Sequence, residues 1–253
     1  MPQETDETGL APHERFDAAA STYSRARPSY PPDVAPWLAE TAALAPDGRV
    51  LDLAAGTGAL TARLADAGLA VTAVEPSANM RGVLAERAPG VETVDARAEC
   101  LPFADGAFAL VTVANAWHWF DPLAAHAEIR RVLAPGGSLA VLWNVEDRTD
   151  ELSRRVDDMK LVVLDRSATP GPHEEQPLAW DRHFEQYAQR EFRLIHRPPS
   201  VAEYVASWSF VANMPESRRE EFLDEVRGFA PDGPVDLAFR VTAAVGRRRE
   251  QVA

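Results

Sequence analysis

Residues Arg49-Val50-Leu51-Asp52-Leu53-Ala54-Ala55-Gly56-Thr57-Gly58 leave the chain few choices of fold. A short apolar run ends around an acid, breaks into a loop of small residues and passes into a helical pattern over 59–67. That is a strand, a tight turn and a helix, with the turn stripped of bulky side chains. Glycine at 56 and 58 opens backbone conformations closed to other residues and lets a ligand approach the main chain. A turn of this kind, at the carboxyl end of a parallel strand, is where open α/β sheets bind their ligands. A dinucleotide fingerprint, G-x-G-x-x-G, needs a third glycine, and that position holds Thr61. The spacing reads instead as D-x-A-x-G-x-G, with Asp52 as the acid.

The downstream chain repeats this logic. Residues 70–75 read as a second strand rich in β-branched side chains, ending at Glu75, 17 positions beyond Gly58. An acid about 20 residues past such a loop is placed to accept from two ribose hydroxyls, and a carboxylate suits a vicinal diol. Pro76-Ser77-Ala78-Asn79-Met80 opens the next helix with Ser77 as its N-cap. Asp95-Ala96-Arg97-Ala98-Glu99-Cys100-Leu101-Pro102-Phe103 precedes a turn at Asp105-Gly106 and a nearly continuous apolar run over 108–114. Such a run suits a strand buried on both faces. It ends in Asn115-Ala116-Trp117-His118-Trp119-Phe120-Asp121, again at a carboxyl edge, where loops carry function. Its rings read either as core packing or as pocket walls, and His118 either as a structural group or as a base. After a helix over 128–134, Pro135 stops the pattern and Gly136-Gly137 turns into a strand over 138–143.

In order and spacing, these blocks over 48–145 resemble the class I S-adenosylmethionine-dependent methyltransferases. The D-x-A-x-G-x-G loop resembles their first motif, with Ala54 where glycine is usual. Residues 98–103 resemble their A-E-x-L-P-F segment, with Arg97 where many relatives carry Asp. The stretch A-x-A-W-H-W-F at 114–120 resembles the trans-aconitate-methyltransferase-like group, and R-V-L-x-P-G-G at 131–137 resembles the signature that follows. Near the start, Y-x-x-x-R-P-x-Y-P at 23–31 resembles the opening segment of the family.

The resemblance implies a Rossmann-like α/β fold: a seven-stranded, mostly parallel sheet with an antiparallel edge strand, helices on both faces and an N-terminal helical lid. It implies S-adenosyl-L-methionine as cofactor and S-adenosyl-L-homocysteine as its product. Carried over residue by residue, the cofactor site is Tyr23, Arg27, Ala55, Gly56, Thr57, Gly58, Glu75, Pro76, Met80, Ala98, Glu99, Asn115 and Ala116. His118 is the candidate catalytic residue. Trp117, His118, Trp119, Trp143 and Trp208 are the candidate acceptor pocket, and Arg27 is also a candidate anchor for an anionic substrate.

The expected organisation is a disordered tail over 1–12, a lid over 13–46 and a methyltransferase core over 47–253. The lid contains one helix ending near Arg27 and another over 33–44. Within the core, a substrate-side insertion over 150–187 holds a helix over 151–165, a rigid loop over 168–173 and a short helix over 180–187. Helices over 201–210 and 216–229 then separate two last strands, over 191–196 and 235–245.

Composition narrows the partners. A net charge of −13 disfavours nucleic acid as substrate, because phosphate neutralisation dominates that affinity. The short clusters Arg218-Arg219 and Arg247-Arg248-Arg249 read as solvated faces. No apolar run approaches about 18 residues, so no membrane span is expected. One cysteine, Cys100, excludes an internal disulfide and fits a reducing cytoplasm. The six histidines lack metal-ligand spacing. Lys160, the only lysine, reads as compositional bias.

A sulfonium methyl is already electrophilic, so the protein's task is alignment, which can lower a barrier by roughly 7–11 kcal/mol. The expected acceptor is a small molecule methylated on O, N or C, with carboxylates and natural-product intermediates of secondary metabolism among the candidates. Two other uses would need the same loop: a ligand sensor, and a fold recruited to a non-methylating reaction.

Overall fold

The computed structural model describes residues 20–163, 183–212 and 214–249. The expected tail over 1–12 and the rigid loop over 168–173 lie outside the described residues. Seven strands form one sheet: β1 (Arg49–Leu53), β2 (Ala70–Val74), β3 (Glu92–Val94), β4 (Phe108–Ala114), β5 (Leu133–Glu146), β6 (Phe184–His196) and β7 (Leu237–Arg248). Their order across the sheet is β3-β2-β1-β4-β5-β7-β6. The first five run parallel, and β7 is antiparallel to both β5 and β6.

Strand periodicity divides the side chains between two covered faces. Leu51, Leu53, Val111, Val113, Leu139 and Val141 pack on one face with Ile129 and Val132 of α5 (Pro122–Val132). Val50, Leu110, Ala140 and Leu142 pack on the other. There they meet Val34 and Leu38 of α2 (Val34–Thr41) and Leu60 and Leu64 of α3 (Ala59–Asp66). Burying each such side chain contributes about 1.5–3 kcal/mol.

Local chemistry starts α4 (Ala78–Arg87) where the sequence predicts. Helix α5, however, begins at Pro122 rather than at 128 and gives way to β5 at Leu133. The expected helix over 128–134 and turn at 135–137 therefore need correction. Ser77 caps α4 by accepting from the Met80 amide at 3.1 Å. Asp121 caps α5 by accepting from the amides of Leu123 and Ala124 at 3.0 Å each, with Pro122 in the first turn. The helix beginning the N-terminal segment, α1 (Ala20–Ala26), stops just before Arg27 and Pro28.

A second apolar cluster sits beyond the edge of β5. It joins α6 (Glu151–Val163), α7 (Val201–Ala206), α8 (Ser209–Ala212) and α9 (Glu216–Phe229) against Leu237 and Phe239 of β7. Two expectations need correction here. Of the short helix expected over 180–187, residues 184–187 belong instead to strand β6, where 184–186 pair with 246–248 of β7. Residues 180–182 lie outside the described residues. The helix expected over 201–210 breaks at Ser207-Trp208 into α7 and α8.

Candidate active site

The loop after β1 is held open by its own backbone. Ala54, Gly56 and Gly58 take φ of 54°, 57° and 76°. Gly58 is required for packing: a Cβ there would lie 2.8 Å from Leu84 Cγ. Gly56 faces empty space, and a Cβ would meet nothing within 4 Å. The two glycines therefore do different jobs.

Beneath the loop, buried Asp52 accepts from Thr61 Oγ1 at 2.6 Å and from Thr112 Oγ1 at 2.8 Å. Burial pushes its pKa up to about 6, against the two hydroxyls, which favour the charged form. Thr61, which breaks the dinucleotide pattern, thus supports the acid of the loop. At the end of β2, Glu75 Oε2 accepts from the Gly56 amide and Oε1 from the Ser77 amide, both at 2.9 Å.

The segment after β3 is fastened from α5. Glu128 accepts from the Leu101 amide at 2.7 Å, and Arg131 donates to the Leu101 and Phe103 carbonyls at 2.9 and 2.6 Å. Arg131 of the R-V-L signature thus fastens the Leu101–Phe103 stretch that follows Ala98 and Glu99. Glu99 also accepts from the Asp121 amide at 3.0 Å, tying the segment to the turn after β4. Arg97 is exposed and lies 3.5 Å from Glu99.

At the end of β4, Asn115 adopts φ 52° and joins three segments. Its Nδ2 donates to the Tyr30 hydroxyl at 2.9 Å, and its Oδ1 accepts from the Asn144 amide at 3.0 Å. A 3-10 turn over Trp117–Trp119 follows. The first helix is tied down from two sides: Arg87 of α4 donates to Ser24 Oγ at 2.7 Å and to Thr57 Oγ1 at 3.3 Å, and His196 meets the Ala26 carbonyl at 2.6 Å.

These parts surround a cavity of about 410 Å³. Tyr23, Arg27, Ala55, Gly56, Thr57, Glu75, Pro76, Met80, Ala98, Glu99, Asn115, Ala116, His118, Trp119 and Trp208 all line it. Three residues named from the sequence do not. Gly58 packs on Leu84. Trp117 is buried in the core, edge-on to Phe120 and 4.9 Å from the His126 ring. Trp143 packs against the same core beneath β5.

The far wall holds a group that sequence reasoning missed. Glu146 is buried, with Lys160 Nζ at 3.1 Å from one oxygen and the Tyr204 hydroxyl donating to the other. Burial alone would raise the carboxyl pKa, but Lys160 and Tyr204 outweigh it and hold Glu146 below the usual range. Tyr204 moves the other way, pushed up by burial and then by the Glu146 charge. Phe210 and Phe239 complete the wall. The available signal was the solitary Lys160 in a helix at the sheet's edge.

Arg27 keeps its proton: burial opposes the charge, but Tyr23, Tyr204 and Glu146 more than offset this. His118 lines the cavity and is exposed, yet is held down to about 4, first by desolvation and then by the Arg27 charge. It is therefore a neutral imidazole at physiological pH.

A family model for a methyltransferase domain matches residues 51–141. An uncharacterized methyltransferase of Mycobacterium tuberculosis is 39% identical over 216 residues, covering 84% of each chain. The chain belongs to the class I S-adenosylmethionine-dependent methyltransferases. A demethylmenaquinone methyltransferase of Renibacterium salmoninarum is 43% identical over 97 residues, 38% of this methyltransferase and 41% of that protein. Among solved structures, a candidate type II methyltransferase from Anaeromyxobacter dehalogenans is similar at 26% identity and TM-score 0.63. That match covers 87% of this methyltransferase and 97% of the other. Among the described residues, no cluster of His, Cys, Asp and Glu could hold a metal ion, and no helix is long and apolar enough to cross a membrane.

Proposed function

We propose that this methyltransferase acts on a small organic acceptor, seated at the aromatic end of the cavity, with S-adenosylmethionine held at the glycine-loop end. The observation that carries the reading is one continuous cavity of about 410 Å³, reaching from Gly56 and Glu75 to Trp208 and Phe239. A volume of that order suits a drug-sized ligand.

The residues present fit the cofactor. Gly56 offers an unobstructed backbone face. A carboxylate has roughly four acceptor directions, so Glu75 can serve both the loop amides and a ribose diol. Asp52, Glu75 and Glu99 place three carboxylates at the end that would receive a cationic molecule. Tyr23, Pro76, Met80, Ala98, Asn115 and Ala116 would form the remaining walls.

When bound, the cofactor supplies an electrophilic methyl group on a sulfonium. The protein's own contribution is orientation and exclusion of water. Trp119, Trp208 and Phe239 orient a flat acceptor, and α1, latched through Arg87 and His196, covers the site. His118, uncharged above about pH 5, can accept a proton from a hydroxyl or a carbon acid. A net charge of −13 speaks against a nucleic-acid acceptor.

Calorimetric titration with S-adenosylmethionine and S-adenosylhomocysteine tests the reading, beside Glu75→Ala and an NAD control. Micromolar binding of both, lost in the variant and absent for NAD, is the expected result. No binding of either ligand by the wild-type protein overturns it. An acceptor screen with the loaded enzyme then tests the small-molecule assignment.

A further inference from the structure

Lys160, the only lysine of the chain, interrupts an apolar stripe. On α6 it stands four residues beyond Val156 and eight beyond Leu152, both of which pack into the cluster beyond β5. The helix is fixed at its start: Asp150 accepts from the Ser153 amide at 2.8 Å, and Arg148 donates to Asp157 and Asp158 at 2.6 and 2.8 Å. Lys160 thereby joins the cavity wall, with its ammonium 3.1 Å from Glu146 Oε2. Stability does not account for this pair. Taking two charges out of water offsets most of their attraction, and apolar residues of similar volume often hold a fold as well. Nor is the pair saturated. An ammonium carries three donors, and among the described residues Lys160 bonds one partner, Glu146. The second Glu146 oxygen is occupied by the Tyr204 hydroxyl. The wall therefore offers spare donors from a group whose charge is already balanced.

We propose that Lys160 is a polar contact of the acceptor site, donating to the neutral carbonyl oxygen of a ketone or lactone. This inference rests on the small-molecule reading above and narrows it. An ammonium has no lone pair, so the group it receives must accept hydrogen bonds. A carbonyl oxygen does so without bringing a proton that would need a partner of its own. The Glu146 carboxylate at 3.1 Å cancels the pull of the ammonium on an anion and leaves the hydrogen bond. Half-buried Phe210 lines the same cavity, and apolar surroundings strengthen a hydrogen bond from a charged donor.

A single lysine makes the test direct. Full-length protein grown with 13C-labelled lysine gives one Cε–Hε cross-peak, which reports on Lys160 alone. The labelled protein, saturated with S-adenosylhomocysteine, is titrated with acetophenone, 1-indanone and phthalide. The same is done with ethylbenzene, indane and phthalan, in which two hydrogens replace the carbonyl oxygen, and with benzoate. At least one carbonyl compound is expected to move the peak saturably and to bind about tenfold more tightly than its counterpart, the scale of one hydrogen bond to a charged group. Lys160→Met alone leaves Glu146 buried without its cation, so the variant is Glu146→Gln with Lys160→Met, which removes both charges and keeps an acceptor for Tyr204. In calorimetry it should bind each carbonyl compound and its counterpart within about twofold of one another. Its affinity for S-adenosylhomocysteine should stay within about twofold of wild type.

A cross-peak that no carbonyl compound moves overturns the proposal, and this wild-type result stands whether or not the double variant folds. A carbonyl preference that survives in the double variant overturns it as well. So does benzoate binding more tightly than every carbonyl compound while moving the peak, since the wall then reads an anion. If the wild-type protein fails to bind S-adenosylhomocysteine, the cofactor reading itself fails, a result seen before any acceptor is added.

Discussion

Glu75 Oε2 accepts a hydrogen bond from the Gly56 amide at 2.9 Å, so the end of β2 fixes the loop that follows β1. Because Oε1 serves the Ser77 amide, one carboxylate sets both the loop and the start of α4. Glutamine has only one acceptor oxygen at that position. Glu75→Gln should therefore leave one amide without a partner, lower the melting temperature by a few degrees and weaken S-adenosylhomocysteine about tenfold or more. Calorimetry and thermal melts read the two effects separately.

The two loop glycines should respond differently to the same change. Gly58→Ala drives a Cβ against Leu84 at a positive φ, so stability should fall by about 2–3 kcal/mol. Gly56→Ala meets no protein atom and should cost only about 1–2 kcal/mol from its left-handed backbone. Its methyl group enters the cavity instead, so cofactor affinity should drop by more than stability does. Urea titrations paired with ligand titrations test this crossing of effects.

Asp52 makes the stability of the fold depend on pH. Its folded pKa is raised from 3.8 to about 6, so the proton is bound more tightly in the folded state. The resulting stabilisation is fully present below about pH 3.8 and is lost as pH rises through about 6. A shift of that size is worth about 2–3 kcal/mol. Asp52→Asn removes the titration, so wild type should lose stability relative to the variant between about pH 4 and 6. Melts of both proteins across that range give the answer.

His118 should not titrate where free histidine does. With its pKa near 4, the ring is neutral from about pH 5 upward, and turnover should show no His118-dependent limb near 6.5. Arg27→Ala removes one of the two causes, so the His118 pKa should rise toward its ordinary value. Histidine ring resonances followed by NMR across pH 3.5–8 measure this directly. For a hydroxyl or carbon-acid acceptor, His118→Ala should lower turnover at least about tenfold, and a carboxylate oxygen acceptor should lose little.

Much of the sheet and of the glycine-loop end of the cavity was legible because local chemistry carries it. Strand β1, its small-residue loop, the acid ending β2 and the Ser77 cap are all set by short stretches of sequence. The aromatic end was less legible because it is made by tertiary packing. Trp117 and Trp143 look alike to Trp119 and Trp208 in sequence, and only the direction of each strand or turn decides which ring faces the core. Glu146 and Lys160 are 14 residues apart on different elements, and nothing in their spacing announces a buried pair. Residues 184–187 followed their β7 partners into the sheet, a pairing set by residues some 60 positions away.

The antiparallel insertion of β7 between β5 and β6 brings the last part of the chain to one end of the cavity. Gly56, Glu75 and Ala98 come from the first hundred residues, while Glu146, Lys160, Tyr204, Trp208 and Phe239 come from the last hundred or so. On the proposed reading, drift in the C-terminal helices reshapes part of the acceptor wall and leaves the glycine loop untouched.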